Sequence, residues 1–156
     1  MGYVENLRAL VGHRPLILPG SCVLLLDAQG RLLLQQRNEP TKRWGLVGGL
    51  MEAGERPGQV VVREVREESG LELNEDRLQL FGVYGGDRLI TAPNGDQFYP
   101  VITAFVARLE AGQPVISDDE TLQFRWFPLN GVPEPLAGTH QQIVTDFRKQ
   151  MESTDD

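Results

Sequence analysis

Glu64, Glu67 and Glu68 lie in the run Arg63-Glu64-Val65-Arg66-Glu67-Glu68 of a 156-residue chain. On a helix turning about 100° per residue, with Glu64 at zero, Glu68 falls at about +40° and Glu67 at about −60°. Val60 falls at about −40° and Val61 at about +60°, so carboxylates and apolar side chains share one face. An ordinary solvated helix separates the two kinds of residue. Carboxylates crowded against a partly apolar cleft repel one another and lose hydration, a cost that a cation offsets. Oxygen-only ligands of this type suit a hard ion, Mg²⁺ or Mn²⁺. A glutamate-rich helix is more often a solvated surface with i,i+3 and i,i+4 ion pairs, so the surrounding pattern has to decide.

The elements that would carry these residues can be read from apolar spacing and from turn residues. The segment from Pro57 to Ser69 reads as a helix, with Pro57 at its first position and Gly70 just past its end. Ahead of it stands a glycine-rich stretch, Trp44-Gly45-Leu46-Val47-Gly48-Gly49-Leu50. Ser21–Leu26 and Arg31–Gln36 read as strands joined by the turn Asp27-Ala28-Gln29-Gly30. Leu78–Tyr84, Phe98–Leu109 and Phe124–Phe127 read as further strands, with a polar excursion over 85–97 whose Asn94-Gly95 marks a hairpin tip. Tyr3, Leu7 and Leu10 predict an N-terminal helix within residues 1–14. Ile143, Val144, Phe147 and Met151 predict a C-terminal helix over 138–152. Strands mixed with helices indicate one α/β or α+β domain over 1–156.

Composition narrows the class. Hydrophobic residues make up 40% and charged residues 24%, as in an ordinary globular protein. No apolar run reaches the length of a membrane span, and the start of the chain lacks a signal-peptide pattern. A single cysteine, Cys22, excludes an internal disulfide and a cysteine-based zinc cluster, and so predicts a cytoplasmic location. The net charge of −7 argues against binding a nucleic acid polymer. It is also unevenly placed: Glu52 to Asp76 holds eight acids and three arginines. Thirteen of the fifteen basic residues are arginine, which favours bidentate phosphate contacts wherever they line a cleft.

From Gly49 to Leu71 the chain reads Gly49, five residues, Glu55, seven residues, Arg63-Glu64-Val65, one residue, Glu67-Glu68, one residue, Gly70-Leu71. This resembles the Nudix box of the Nudix hydrolase family at every specified position. Trp44 and the paired glycines are similar to the family's usual approach to the box, while Val47 stands where many members have proline. The resemblance implies an α/β/α sandwich with a mixed β-sheet, and Mg²⁺- or Mn²⁺-dependent hydrolysis of a nucleoside diphosphate linked to another moiety. It implies metal ligands from the Gly48 carbonyl and from Glu64, Glu67 and Glu68, and an ion pair of Glu55 with Arg63 that holds the loop against the helix. Gly-Gly backbone allows the close approach to an ion that this ligand set requires. The catalytic base is Glu64 or, as in members that use a later loop, Glu120 of Asp118-Asp119-Glu120. Many members are homodimers, for which the N-terminal helix or the excursion offers a surface.

Substrate contacts are harder to read. Arg37 and Arg88 are candidates for phosphate or ribose, and Tyr84, Phe98 and Tyr99 for stacking on a base, with Phe98 expected in the core. Secondary marks of family subgroups are unclear in Tyr84–Ile90. Nucleotide sugars such as ADP-ribose, nucleoside triphosphates and dinucleoside polyphosphates all stay open as substrates. A regulatory module that binds nucleotides without turnover, and an isomerase acting on a diphosphate, are the other readings. His13 and His140 have no partner at ligand or catalytic spacing, so each reads as an ordinary loop or helix residue.

Overall fold

Cys22 to Leu26 form an unbroken apolar run, as expected of a strand covered on both faces. All five side chains are buried. The computed structural model describes residues 2–109, 112–116 and 118–154. In chain order its elements are α1 (Tyr3–Val11), β1 (Leu16–Leu26), β2 (Leu32–Arg37), β3 (Trp44–Gly45), β4 (Val47–Leu50), α2 (Pro57–Ser69), β5 (Gln79–Gly85), β6 (Ile90–Thr91), β7 (Gln97–Arg108), β8 (Thr121–Phe127) and α3 (His140–Thr154).

The strands form one mixed sheet in the order β3-β2-β1-β7-β5, with β4 on β1, β6 on β7 and β8 on β2. β1 and β7 run parallel from Leu16↔Phe98 to Leu26↔Arg108, and the other pairings are antiparallel. Side chains alternate across the sheet with period two. Cys22, Leu24, Leu26, Leu32 and Leu34 therefore meet Ile143, Val144 and Phe147 of α3 on one face. Val23, Leu25, Leu33 and Val47 meet Val61 and Val65 of α2 on the other. The result is an α/β/α sandwich. Each fully buried leucine or valine of these layers contributes about 1.5–3 kcal/mol.

Two elements differ from the sequence expectation. β1 begins at Leu16, not Ser21, because β7 pairs with it through Pro19 and Gly20. The glycine-rich stretch is not a loop: Gly48 and Gly49 lie in β4, opposite Cys22 and Ser21 of β1. The hairpin tip expected at Asn94-Gly95 is present: β6 pairs with the start of β7 around a turn at Ala92–Asp96. The central helix has the expected bounds, with Gly70 in the left-handed conformation (φ 73°) donating its N–H to Arg66 O.

Candidate active site

α2 is held against the sheet by Val61 and Val65, and this docking carries Glu68 inward with them. Glu68 is 3% exposed, and its Oε2 is sealed from solvent without a hydrogen-bond partner. Carboxylate oxygens of Asp118 and Glu120 come within 4.8 Å of that of Glu68 and of each other. The loop supplying these two residues is tied to the end of β2. Asn38 donates its N–H to Glu120 O at 2.9 Å and its side-chain amide to Asp119 O at 2.8 Å. The register of β8 on β2, with Thr121 opposite Arg37, sets the reach of the loop.

Burial and the neighbouring charges of Glu64, Asp118 and Glu120 push the Glu68 carboxyl up to about 9, with Arg37 pulling weakly the other way. A buried carboxylate with an unpartnered oxygen, grouped with two more carboxylates, is a donor set for a hard divalent cation. The residues fit such an ion on chemistry as well as on position.

Glu64 occupies the edge of this cluster. Its carboxylate accepts from Arg63 Nη1 at 2.8 Å and rests against Gly49, where a Cβ would lie 2.6 Å from Glu64 Cδ. Burial raises its pKa and Arg63 opposes the shift. At Gly48 a Cβ would collide with Ser21 O and lie 2.7 Å from Cys22 Cα, so the close approach of the β1 backbone requires glycine there. Glu67 sits further out, its side chain 55% exposed and 3.3 Å from Arg63 Nη1. Arg63 grips Glu55 with Nε and Nη2 at 2.7 and 2.9 Å and also donates to Leu50 O at 3.1 Å. The helix, the 51–56 loop and β4 are thereby joined through one guanidinium.

On the α3 face of the sheet, beside Gly48 and Gly49, opens a cavity of about 700 Å³ whose lining includes Arg37, Arg43, Arg88, Phe98, Thr139 and His140. Among the described residues, no aspartate or glutamate lines it. Arg43 is committed to Glu39 by two hydrogen bonds. Arg37 is half-buried; its backbone N–H donates to Arg43 O at 2.9 Å, but among the described residues its guanidinium makes neither an ion pair nor a hydrogen bond. Its burial lowers its pKa. A desolvated guanidinium without a partner, opening on a cavity, is suited to a phosphate. Arg88 lies on the exposed rim.

Tyr84 is placed otherwise. Its hydroxyl donates to Asp146 Oδ2 at 2.9 Å, its ring stacks on Phe81 with centroids 6.4 Å apart, and it packs with the core beneath α3. Phe98, expected in the core, lines the cavity instead.

Two site residues escape a reading of the sequence. Asp118 lies in the same acidic trio as Glu120, and only the loop's attachment to Asn38 turns it toward Glu68. His140 reads as an ordinary residue because its partner is a backbone group 94 positions away: Leu46 N–H donates to its Nδ1 at 3.0 Å. With Nδ1 accepting, the neutral ring carries its proton on Nε2. Burial, then the charges of Arg37 and Arg43, push its pKa down to about 3. A Cβ at Gly45 would lie 2.9 Å from His140 Nδ1 and 3.4 Å from Arg37 Nε, so these two cavity residues meet over one glycine.

Comparison with known proteins agrees with this arrangement. An ADP-ribose pyrophosphatase of Methanocaldococcus jannaschii is 32% identical over 119 residues, 76% of this chain and 65% of that protein. An NAD-capped RNA hydrolase NudC of Vibrio vulnificus is 30% identical over 127 residues, 81% of this chain and 44% of that protein. The chain thus spans less than two thirds of the length of either relative. The crystal structure of a MutT NUDIX hydrolase from Burkholderia pseudomallei superposes with a TM-score of 0.68 at 29% identity, over 85% of this chain and 97% of that one. The family model for the NUDIX domain matches residues 17–147, from β1 into the first half of α3 and including the whole acidic cluster, and the chain belongs to the Nudix hydrolase family.

Proposed function

We propose that the chain is a Mg²⁺- or Mn²⁺-dependent hydrolase that cleaves the pyrophosphate linkage of a small nucleoside diphosphate derivative, with ADP-ribose as the first candidate. The observation that carries this reading is the buried Glu68 carboxylate, with an unpartnered Oε2, grouped with the carboxylates of Asp118 and Glu120, beside a cavity lined by Arg37, whose guanidinium makes no ion pair among the described residues. The activity of the archaeal relative, an ADP-ribose pyrophosphatase, supports the choice of substrate.

Glu68, Glu64 and Glu67, with the Gly48 carbonyl, would hold the cation, and Asp118 and Glu120 stand next to Glu68 to complete or support the set. When bound, the cation neutralises phosphate charge and makes a water a better nucleophile. The chain's own groups do the rest. Arg37 holds a phosphate of the diphosphate, and the apolar walls and Phe98 exclude water around the nucleoside. A carboxylate oxygen of Glu120, or alternatively of Glu64, accepts the proton of the attacking water. The water oxygen bonds to one phosphorus, the bond from that phosphorus to the bridging oxygen breaks, and the bridging oxygen leaves on the other phosphate. ADP-ribose would yield AMP and ribose 5-phosphate.

The test is a panel of ADP-ribose, other nucleotide sugars, nucleoside triphosphates and dinucleoside polyphosphates, with product readout, in Mg²⁺, in Mn²⁺ and in chelator. Cation-dependent cleavage of a diphosphate linkage is the expected result. Nucleotide binding without any turnover would replace this reading with a binding module.

A further inference from the structure

Residues 2–15 precede the stretch that matches the family model, and no residue of α1 is buried. The attachment of this segment is therefore polar, and it has two ends. At the first, Tyr3 N–H donates to Glu52 Oε2 at 2.8 Å, and a Cβ at Gly2 would lie 2.6 Å from Glu52 Oε1. The Glu52 N–H donates in turn to Glu55 Oε1 at 2.8 Å, and Glu55 is the carboxylate that Arg63 grips. At the second end, Arg8 gathers three carbonyls: Nη1 donates to Gly12 O and Arg14 O at 3.0 and 2.6 Å, and Nη2 to Gln97 O at 2.6 Å. Its Nε is sealed from solvent, 3.7 Å from Asp96 Oδ2. His13 Nδ1 lies 2.7 Å from Asp96 Oδ1, and Gln97 N–H donates to His13 O at 3.2 Å.

Asp96 and Gln97 close the hairpin whose strands pair Ile90 with Phe98 and Thr91 with Gln97. Ile90, Thr91, Phe98 and the preceding Arg88 all line the cavity, and Leu50, beside the other anchor, lines it too. One polar segment thus ties together two stretches of the cavity wall that are remote in sequence.

We propose that residues 2–15 act as a strap fixing the β6–β7 hairpin relative to the 51–56 loop, with Arg8 as a positioning residue for substrate binding. Arg8 touches no substrate; it holds the wall that does. This rests on the cavity being the substrate site. A wall held by charge-assisted hydrogen bonds keeps its contacts in place before substrate arrives, so loosening it weakens binding more than chemistry.

The experiment compares wild type with Arg8→Ala, Arg8→Lys and Asp96→Asn, the last keeping side-chain volume. It follows kcat and KM for ADP-ribose in Mg²⁺, thermal unfolding, and hydrogen exchange of residues 88–98. Arg8→Ala should raise KM about tenfold with kcat within about twofold. Faster exchange confined to 88–98 and partial recovery in Arg8→Lys should accompany the change. Asp96→Asn should move KM the same way by a smaller factor. Unchanged KM, or unchanged exchange over 88–98, overturns the strap. So does an equal fall of kcat and kcat/KM with lowered unfolding temperature in both Arg8→Ala and Asp96→Asn, which marks a merely structural role. A wild type inactive on every diphosphate sinks the functional reading instead, and the exchange measurement still decides the strap.

Discussion

Arg63 and Glu55 meet through two parallel hydrogen bonds, Nε to Oε2 at 2.7 Å and Nη2 to Oε1 at 2.9 Å. Both side chains are largely withdrawn from solvent, at 21% and 16% exposure. The same guanidinium donates to Glu64 and to Leu50 O, so one residue of α2 fixes the loop, the strand and a cluster carboxylate at once. Planarity matters here: only a guanidinium supplies parallel donors to one carboxylate while its remaining N–H reaches another.

Replacing Arg63 with alanine should therefore cost stability and metal response together. The expected loss is about 1–3 kcal/mol in urea unfolding, with cation affinity reduced by about 10–100-fold. Arg63→Lys keeps the charge but not the fork, and should recover stability better than cation affinity. Equal recovery of both would mean that charge alone, not geometry, sets Glu64.

Glu68 makes the cation-free protein sensitive to alkali. Its folded pKa of about 9 lies above the ordinary 4.5, so the folded state keeps a proton that the unfolded chain has released. The contribution is fully present below pH 4.5 and is lost as pH rises toward 9. A cation replaces that proton, so the rise in unfolding temperature on adding Mg²⁺ should grow between pH 6 and 9, roughly as linkage requires. Glu68→Gln should flatten the alkaline loss and abolish the Mg²⁺ response while the fold persists. Calorimetry with and without Mg²⁺ at several pH values checks both. A variant that still gains stability from Mg²⁺ would remove Glu68 from the cation site.

The paired glycines separate fold from site. A Cβ at Gly48 collides with the β1 backbone at Ser21 and Cys22, which cannot yield without opening the sheet. At Gly49 it meets only the flexible end of Glu64. Gly48→Ala should destabilise the protein by more than about 2 kcal/mol. Gly49→Ala should unfold near the wild-type temperature but need several-fold more Mg²⁺ for half-maximal turnover. Thermal melts beside Mg²⁺ titrations distinguish the two. Similar melting curves for both variants would contradict the difference in what each Cβ meets.

Local signals carried part of this design. Pro57 and Gly70 mark the ends of α2, and helical spacing places Glu64 and Glu68 beside Val61 and Val65 before any tertiary contact is known. The paired glycines read as a loop because glycine lowers strand preference, yet the backbone of β1 requires the bareness of Gly48. Asp118 and His140 were legible only in three dimensions. The first depends on the β2–β8 register, and the second on an N–H at the distant junction of β3 and β4. Partners far apart in sequence leave no periodic trace, and the cavity consists almost wholly of such partners.

His140 gives the opposite pH signature to Glu68. Its folded pKa of about 3 lies below the ordinary 6.5, so the unfolded chain takes up a proton that the folded ring refuses. Stability from this residue is fully present above pH 6.5 and is lost as pH falls toward 3. Asparagine at 140 can still accept the Leu46 N–H through Oδ1, but it has no proton to gain. His140→Asn should therefore lose less stability than wild type on going from pH 7 to pH 4.5, measured as the change in unfolding temperature in chelator. The ring also stays uncharged throughout the neutral range, so replacing it should remove no ionisation near pH 6.5 from the profile of kcat/KM. Parallel acid limbs in the two proteins would show that His140 is protonated in the fold, which its bond from Leu46 N–H does not allow at Nδ1.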